Sequence, residues 1–151
     1  MLYNLLYPLA DQISFFNLFQ YITFRTVYAL VTSLVLCWVL GPMFIRWLKV
    51  NQDKGQPIRS DGPQSHQAKQ GTPTMGGLLI LLSLTITTLL WADLTSAFIW
   101  LALLVTLGYG LIGWLDDYLK VIRQDPKGLA GRWKLLMQVL IGGIAAAGLM
   151  L

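Results

Sequence analysis

Apolar residues fall into four long runs, separated by two polar loops and one tight turn and preceded by an aromatic-rich leading segment. The first run, Thr26 to Ile45, holds 20 residues without a charge. As a helix it would rise about 30 Å, the thickness of a bilayer's hydrocarbon core. Arg46, Trp47 and Lys49 would anchor its end at the interface, so a first transmembrane helix is expected over 26–49. Gly41-Pro42 is expected to bend it, because Pro42 has no N–H for the helical ladder. Residues 50–73 are polar and rich in Gly, Pro, Asn and Asp, which describes a loop. Met75 to Ala92 is an apolar stretch of 18 residues, just long enough to span, and places a second helix over 74–92. Residues 93–96 allow only a turn, so a third helix over 97–118 pairs with the second as an antiparallel hairpin. A second polar loop occupies 119–134, and a fourth helix occupies 135–151. The fold class is therefore all-α: a polytopic integral membrane protein with four transmembrane helices.

The leading segment, residues 1–25, carries many aromatic residues but neither a basic stretch nor a small-residue cleavage site, so an interfacial segment on the outer face is expected rather than a signal peptide. In the fourth run Gly142, Gly143, Ala146 and Ala147 recur at helical spacing and offer a small face for close packing by another helix. That run is still apolar at Leu151, and four helices offer few packing partners, so the chain reads as a piece of something longer.

Composition agrees with the pattern. Of 151 residues 56% are hydrophobic and 12% charged, and the mean hydropathy is +0.61, outside the range of a soluble domain of this size. Formal net charge is +4, but ten of the eleven Lys and Arg lie between Arg46 and Lys69 or between Lys120 and Lys134, with Arg25 apart. Basic clusters on loops between apolar runs follow the positive-inside rule and speak against a nucleic-acid face. Both polar loops then share the cytoplasmic side, and the amino terminus lies outside. A lone cysteine, Cys37, excludes an internal disulfide and a cysteine-built metal site and reads as a packing residue.

Chemistry concentrates where apolar sequence ends. Asp116 and Asp117 follow directly on 22 uncharged residues, and five Lys or Arg come after them before the next apolar run. Near the membrane a carboxylate is driven toward its neutral form unless a cation is close. Lys120 lies on the same helical side, and simple ion pairing is the plainer reading. Adjacent side chains diverge by about 100 degrees, however, so one lysine is not expected to serve both with good geometry. A divalent ion would, since Mg²⁺ takes a few carboxylates together with waters and substrate phosphates. Asp125, ahead of Pro126, reads as a helix stop. Lys127, Arg132 and Lys134 read either as donors to phosphate oxygens or as anchors to anionic headgroups. In the first loop, Thr72 or Thr74 is expected to cap the second helix, with Gly76 and Gly77 allowing close backbone approach. With Lys69 nearby, that helix start suits a phosphate, or simply starts a helix. His66 reads as a base, a ligand or a solvated loop residue.

The strings Ser65-His66-x-x-Lys69-x-Gly71-Thr72-Pro73-Thr74-Met75-Gly76-Gly77, Gly113-x-x-Asp116-Asp117-Tyr118 and Lys127-Gly128 closely resemble the phospho-N-acetylmuramoyl-pentapeptide transferases of bacteria, from near Phe19 to Leu151. The resemblance implies a ten-helix inner-membrane fold with a cytoplasmic active face, usually dimeric, embedded among membrane lipids and using Mg²⁺. It implies transfer of phospho-MurNAc-pentapeptide from UDP-MurNAc-pentapeptide to undecaprenyl phosphate, giving lipid I and UMP in peptidoglycan synthesis. By motif, Asp116 and Asp117 correspond to the essential carboxylates, Lys69 and Thr74 to positions lining the nucleotide site, and Lys120 and Arg132 to basic positions nearby; which Asp meets the metal is left open. The chain covers about the first two-fifths of such a protein. The rest is expected to hold a third essential Asp, a uracil-binding loop and a histidine-rich loop, so this stretch alone is not expected to catalyse. The Asp-Asp-Tyr string is shared with other polyprenyl-phosphate sugar-phosphate transferases, and a transport or channel subunit is the non-enzymatic alternative.

Overall fold

A single helix of 30 residues, Ile22–Asn51, carries the first apolar run through its Gly-Pro pair without interruption. The computed structural model describes residues 2–52, 73–124 and 127–150. A short helix, Leu2–Leu6 (α1), and two 3-10 turns, Tyr7–Asp11 and Ser14–Gln20, precede that long helix (α2). The remaining elements are Gly77–Trp91 (α3), Ala97–Arg123 (α4) and Gly131–Met150 (α5). Among the described residues every regular element is helical.

Among the described residues three helices, α2, α4 and α5, are long and apolar enough to cross a membrane, which matches three of the four expected spans. The 15 residues of α3 rise about 22 Å, short of the hydrocarbon core. The apolar run there is longer than the helix because Met75, Gly76 and Ala92, apolar by composition, lie outside it: Met75 takes a left-handed φ of 72° and Ala92 is extended.

Packing of α3 on α2 is tight and partly polar. Gly41 of α2 is buried, and a Cβ there would sit 3.8 Å from Leu79. Ser83, fully buried, accepts a hydrogen bond from the Cys37 thiol at 3.2 Å and gives its own proton to the Leu79 carbonyl. Near the α3 carboxyl end, Trp91 stacks against Phe19 and Tyr28 and donates its indole N–H to the Thr32 hydroxyl at 3.1 Å. An indole in this position buries its faces and still satisfies its one polar group.

The turn between α3 and α4 falls where the polar residues are. Asp93 accepts the Thr95 hydroxyl at 2.7 Å and the Thr95 N–H at 3.1 Å, which hold its carboxyl below the ordinary carboxylate range. Asn4 reaches the same carboxylate at 3.4 Å, and Arg25 lies over the Tyr3 ring. The leading segment therefore packs at this end of the helices.

Both of the last two helices extend past the expected boundaries. α4 runs on to Arg123, five residues beyond 118, and its cap, Gln124, is left-handed at φ 49°. α5 begins at Gly131, not Leu135, because the Ala130 carbonyl already accepts the N–H groups of Trp133 and Lys134. Arg and Lys are good helix formers, so the charge that ends an apolar run does not end a helix. Glycines set the α4–α5 spacing: a Cβ at Gly108 would meet Ile141, and one at Gly148 would meet Leu101. Of the small face foreseen on α5, Gly142 lies beside the Tyr109 hydroxyl, while Gly143, Ala146 and Ala147 are exposed in this chain.

Candidate functional site

At the end of the helices opposite Asp93, the carboxyl ends of α2 and α4 meet the amino ends of α3 and α5, and the two adjacent carboxylates sit among them. They occupy unequal surroundings. The Asp116 side chain is 11% exposed and both its oxygens are engaged. Oδ1 accepts the Leu129 N–H at 2.9 Å, and Oδ2 lies 2.7 Å from Lys120 Nζ and 3.5 Å from Lys134 Nζ. The Asp117 side chain is 29% exposed; Oδ2 accepts the Thr74 hydroxyl at 2.8 Å, and Oδ1 lies 3.3 Å from Lys120 Nζ.

Lys120 reaches both carboxylates, but it serves Asp117 at 3.3 Å less closely than Asp116 at 2.7 Å. A four-carbon stem bridges what the Cβ directions separate, with a close contact to Asp116 and a longer one to Asp117. Lys134 shares the load, so two carboxylates face two ammonium groups. Its place in the first turn of α5 depends on that helix starting at Gly131.

Thr74 does not cap α3. The N-cap is Gly76, without a side-chain hydrogen bond, and the Thr74 hydroxyl turns instead to Asp117, 43 residues along the chain. Met75 makes this possible by taking a left-handed φ, which redirects the chain between Thr74 and the helix. Gln52, which carried no role in the sequence reading, pairs with both backbone groups of Thr74. A neutral amide just past a membrane helix gives no local signal of such a role.

Gly128 closes the site from below. Its φ is +58°, and a Cβ there would stand 2.7 Å from Asp116 Oδ1 and 2.8 Å from Lys120 Cε. A cleft of about 350 Å³ opens between α3 and α4 at this level, lined by Met75, Gly77, Leu78, Trp114, Asp116 and Asp117 among others. Leu78, Leu81, Gly110 and Trp114 also line a neighbouring apolar groove of about 670 Å³ that runs along the same two helices.

Of the six residues singled out in the sequence, the structure brings Thr74, Asp116, Asp117 and Lys120 together. Arg132 is exposed on the first turn of α5 and forms no hydrogen bond or ion pair among the described residues. Lys69, together with His66, Thr72 and Asp125, lies outside the described residues. Among the described residues no group of three or more His, Cys, Asp or Glu is placed to hold a metal ion.

The family model for phospho-N-acetylmuramoyl-pentapeptide-transferase signature 1 matches residues 69–81. That segment carries Lys69, Thr74 and the left-handed Met75. Relatives named phospho-N-acetylmuramoyl-pentapeptide-transferase match over most or all of the chain. The one from Pelobacter propionicus is 56% identical over 100% of this chain and 42% of its own length. The one from Granulibacter bethesdensis is 56% identical over 99% of this chain and 42% of its own. The one from Syntrophus aciditrophicus is 55% identical over 93% of this chain and 39% of its own. The chain thus spans about two-fifths of the length of the curated relatives it matches.

Proposed function

We propose that this chain, which belongs to the phospho-N-acetylmuramoyl-pentapeptide-transferase family, supplies the carboxylate half of a site that moves phospho-MurNAc-pentapeptide from its UDP carrier to undecaprenyl phosphate, releasing UMP and forming lipid I. One observation carries the reading. Within the matched segment the Thr74 hydroxyl bonds Asp117, which supports reading the signature and the Asp pair as parts of one site. In the membrane this site would face the cytoplasm, where both basic loops lie, and the whole protein would pair as a homodimer of ten-helix subunits in the bacterial inner membrane.

The chemistry asks little of a general base. A phosphate monoester has its second pKa near about 6, so the attacking oxygen of the lipid phosphate is already ionised at neutral pH. The demand is instead to bring two anions together and to stabilise the departing UMP. Asp117 suits that demand. It faces the cleft, and its Oδ1 has only the 3.3 Å contact to Lys120, leaving lone pairs for a cation. Mg²⁺ is commonly held by one or two carboxylates plus substrate phosphates, so an Asp117-centred donor set fits it without a cluster of three. When bound, Mg²⁺ would neutralise diphosphate oxygens and stabilise the leaving group. Lys120 keeps the two carboxylates from repelling each other, and Lys69 and Arg132 would meet phosphate oxygens. The apolar groove beside the cleft is a surface on which an isoprenoid tail could lie with its phosphate toward Asp117.

Asp116 is better used as a fixed support. Both its oxygens are already taken, so it holds Lys120 and the turn at Leu129 in place instead of collecting a proton. Asp116→Asn in the full-length protein should therefore slow transfer by about thirtyfold, by the same factor at every pH between about 6.5 and 9. A loss that fades as pH rises would instead assign Asp116 to proton removal.

The direct test is UMP release by the full-length protein in liposomes, with and without undecaprenyl phosphate. Release that depends on the lipid phosphate and on Mg²⁺ supports the reading. Ion flux without UMP release would support a channel subunit, although a conducting path favours carboxylates in mid-bundle and these lie near one helix end.

A further inference from the structure

Gln52 follows the last residue of α2, is 8% exposed, and has both polar atoms of its side chain committed to a single residue. Its Oε1 accepts the Thr74 N–H at 3.0 Å, and its Nε2 donates to the Thr74 carbonyl at 3.3 Å. Two bonds to the two backbone groups of one residue fix both its position and its rotation. Thr74 needs fixing, because the next residue, Met75, sits in the left-handed region that non-glycine residues seldom occupy. Held in this way, Thr74 directs its only hydroxyl proton to Asp117 Oδ2 at 2.8 Å.

We infer that Gln52 is a positioning residue for Asp117, acting through Thr74; the catalytic part of this inference rests on the transferase reading above. A carboxylate can rotate about its last bond and exchange its two oxygens. With the Thr74 hydroxyl on Oδ2 and Lys120 near Oδ1, the two oxygens are no longer equivalent, and exchanging them breaks the Thr74 bond. Both polar atoms of the Gln52 side chain are engaged with Thr74. Gln52 decides where the Thr74 hydroxyl stands, and the end of α2 is thereby tied to the ends of α3 and α4.

The test uses the full-length, membrane-embedded protein with Gln52→Leu, Gln52→Glu, Thr74→Val and the double variant Gln52→Leu/Thr74→Val. Hydrogen–deuterium exchange of peptides covering 73–81 reads the clamp without reference to any reaction. In Gln52→Leu the Thr74 amide should exchange at least about tenfold faster. UMP-release kinetics should show kcat down about tenfold with KM for the UDP-linked substrate within about twofold, since placement of a catalytic group is disturbed and ground-state binding is not. Gln52→Glu keeps an acceptor for the Thr74 N–H but loses the donor to the Thr74 carbonyl and sets a charge against it, so it should recover at most part of either property. A melting temperature of Gln52→Leu close to wild type separates loss of the clamp from failure to fold. The double variant should be no slower than Thr74→Val alone, because a residue that acts through Thr74 has nothing left to act on. Unchanged exchange in Gln52→Leu, multiplicative losses in the double variant, or a KM effect with kcat intact would each overturn the inference. Should the wild-type protein release no UMP, the transferase reading fails, and the exchange measurement alone decides whether Gln52 holds Thr74.

Discussion

Asp117→Asn in the full-length protein is expected to cut UMP release by at least about a thousandfold, the scale at which removing a principal charge-stabilising group acts. Asparagine has nearly the same shape, and its carbonyl oxygen can still accept the Thr74 hydroxyl that Oδ2 accepts now at 2.8 Å. The local fold should therefore persist, with membrane insertion and thermal melting close to wild type. What is lost is the charge of the carboxylate that is 29% exposed on the cleft and has an oxygen only loosely held, 3.3 Å from Lys120. Asp116, the other carboxylate lining the cleft, is a poor substitute, because it is 11% exposed and is held by Leu129, Lys120 and Lys134. Residual activity should need more Mg²⁺ than wild type and should not be restored by high pH. Activity within about tenfold of wild type in a correctly inserted variant would remove Asp117 from the chemistry.

The difference between the two carboxylates could not be read from the chain. In sequence they are a symmetric pair followed by lysine, and helical periodicity says only that they diverge. Their inequality comes from contacts made by residues far along the chain, Leu129 and Lys134 on one side and Thr74 on the other. Local pattern was informative where it had a local cause. The turn at 93–96 lies between helices ending at Trp91 and starting at Ala97, because Asp93 and Thr95 make that turn with their own side chains. Hydropathy marked where greasy sequence ends, but helices end for backbone reasons, so α4 passes Asp116 to reach Arg123 and α5 opens at Gly131. Thr74 shows the same limit. Beside Pro73 and a helix it has the composition of a cap, and only the left-handed Met75 turns its hydroxyl away from that task.

Gly128→Ala should be the most damaging change outside the ionised groups, lowering transfer by about a hundredfold and also lowering the melting temperature. Two separate costs meet at this position. At φ +58° an L-residue pays about 1–2 kcal/mol for the left-handed backbone. The new Cβ would also stand 2.7 Å from Asp116 Oδ1, 2.8 Å from Lys120 Cε and 3.1 Å from Lys120 Cγ. Flexible side chains often yield to such a contact, but these two have little room. Asp116 Oδ1 is held by the Leu129 N–H of the same turn, and Asp116 Oδ2 and Lys120 are paired at 2.7 Å. Moving either one breaks the support that keeps Lys120 between the carboxylates, and Asp117 loses its nearby cation. Gly128→Asn separates the two costs, because asparagine tolerates the left-handed region better than alanine but carries the same Cβ. Equal losses in the two variants place the damage in the contact with Asp116 and Lys120. A clear recovery in Gly128→Asn places it in the backbone. If Gly128→Ala instead keeps transfer within about threefold of wild type, Asp116 and Lys120 can shift without consequence, and the close packing of this turn is not what arms Asp117.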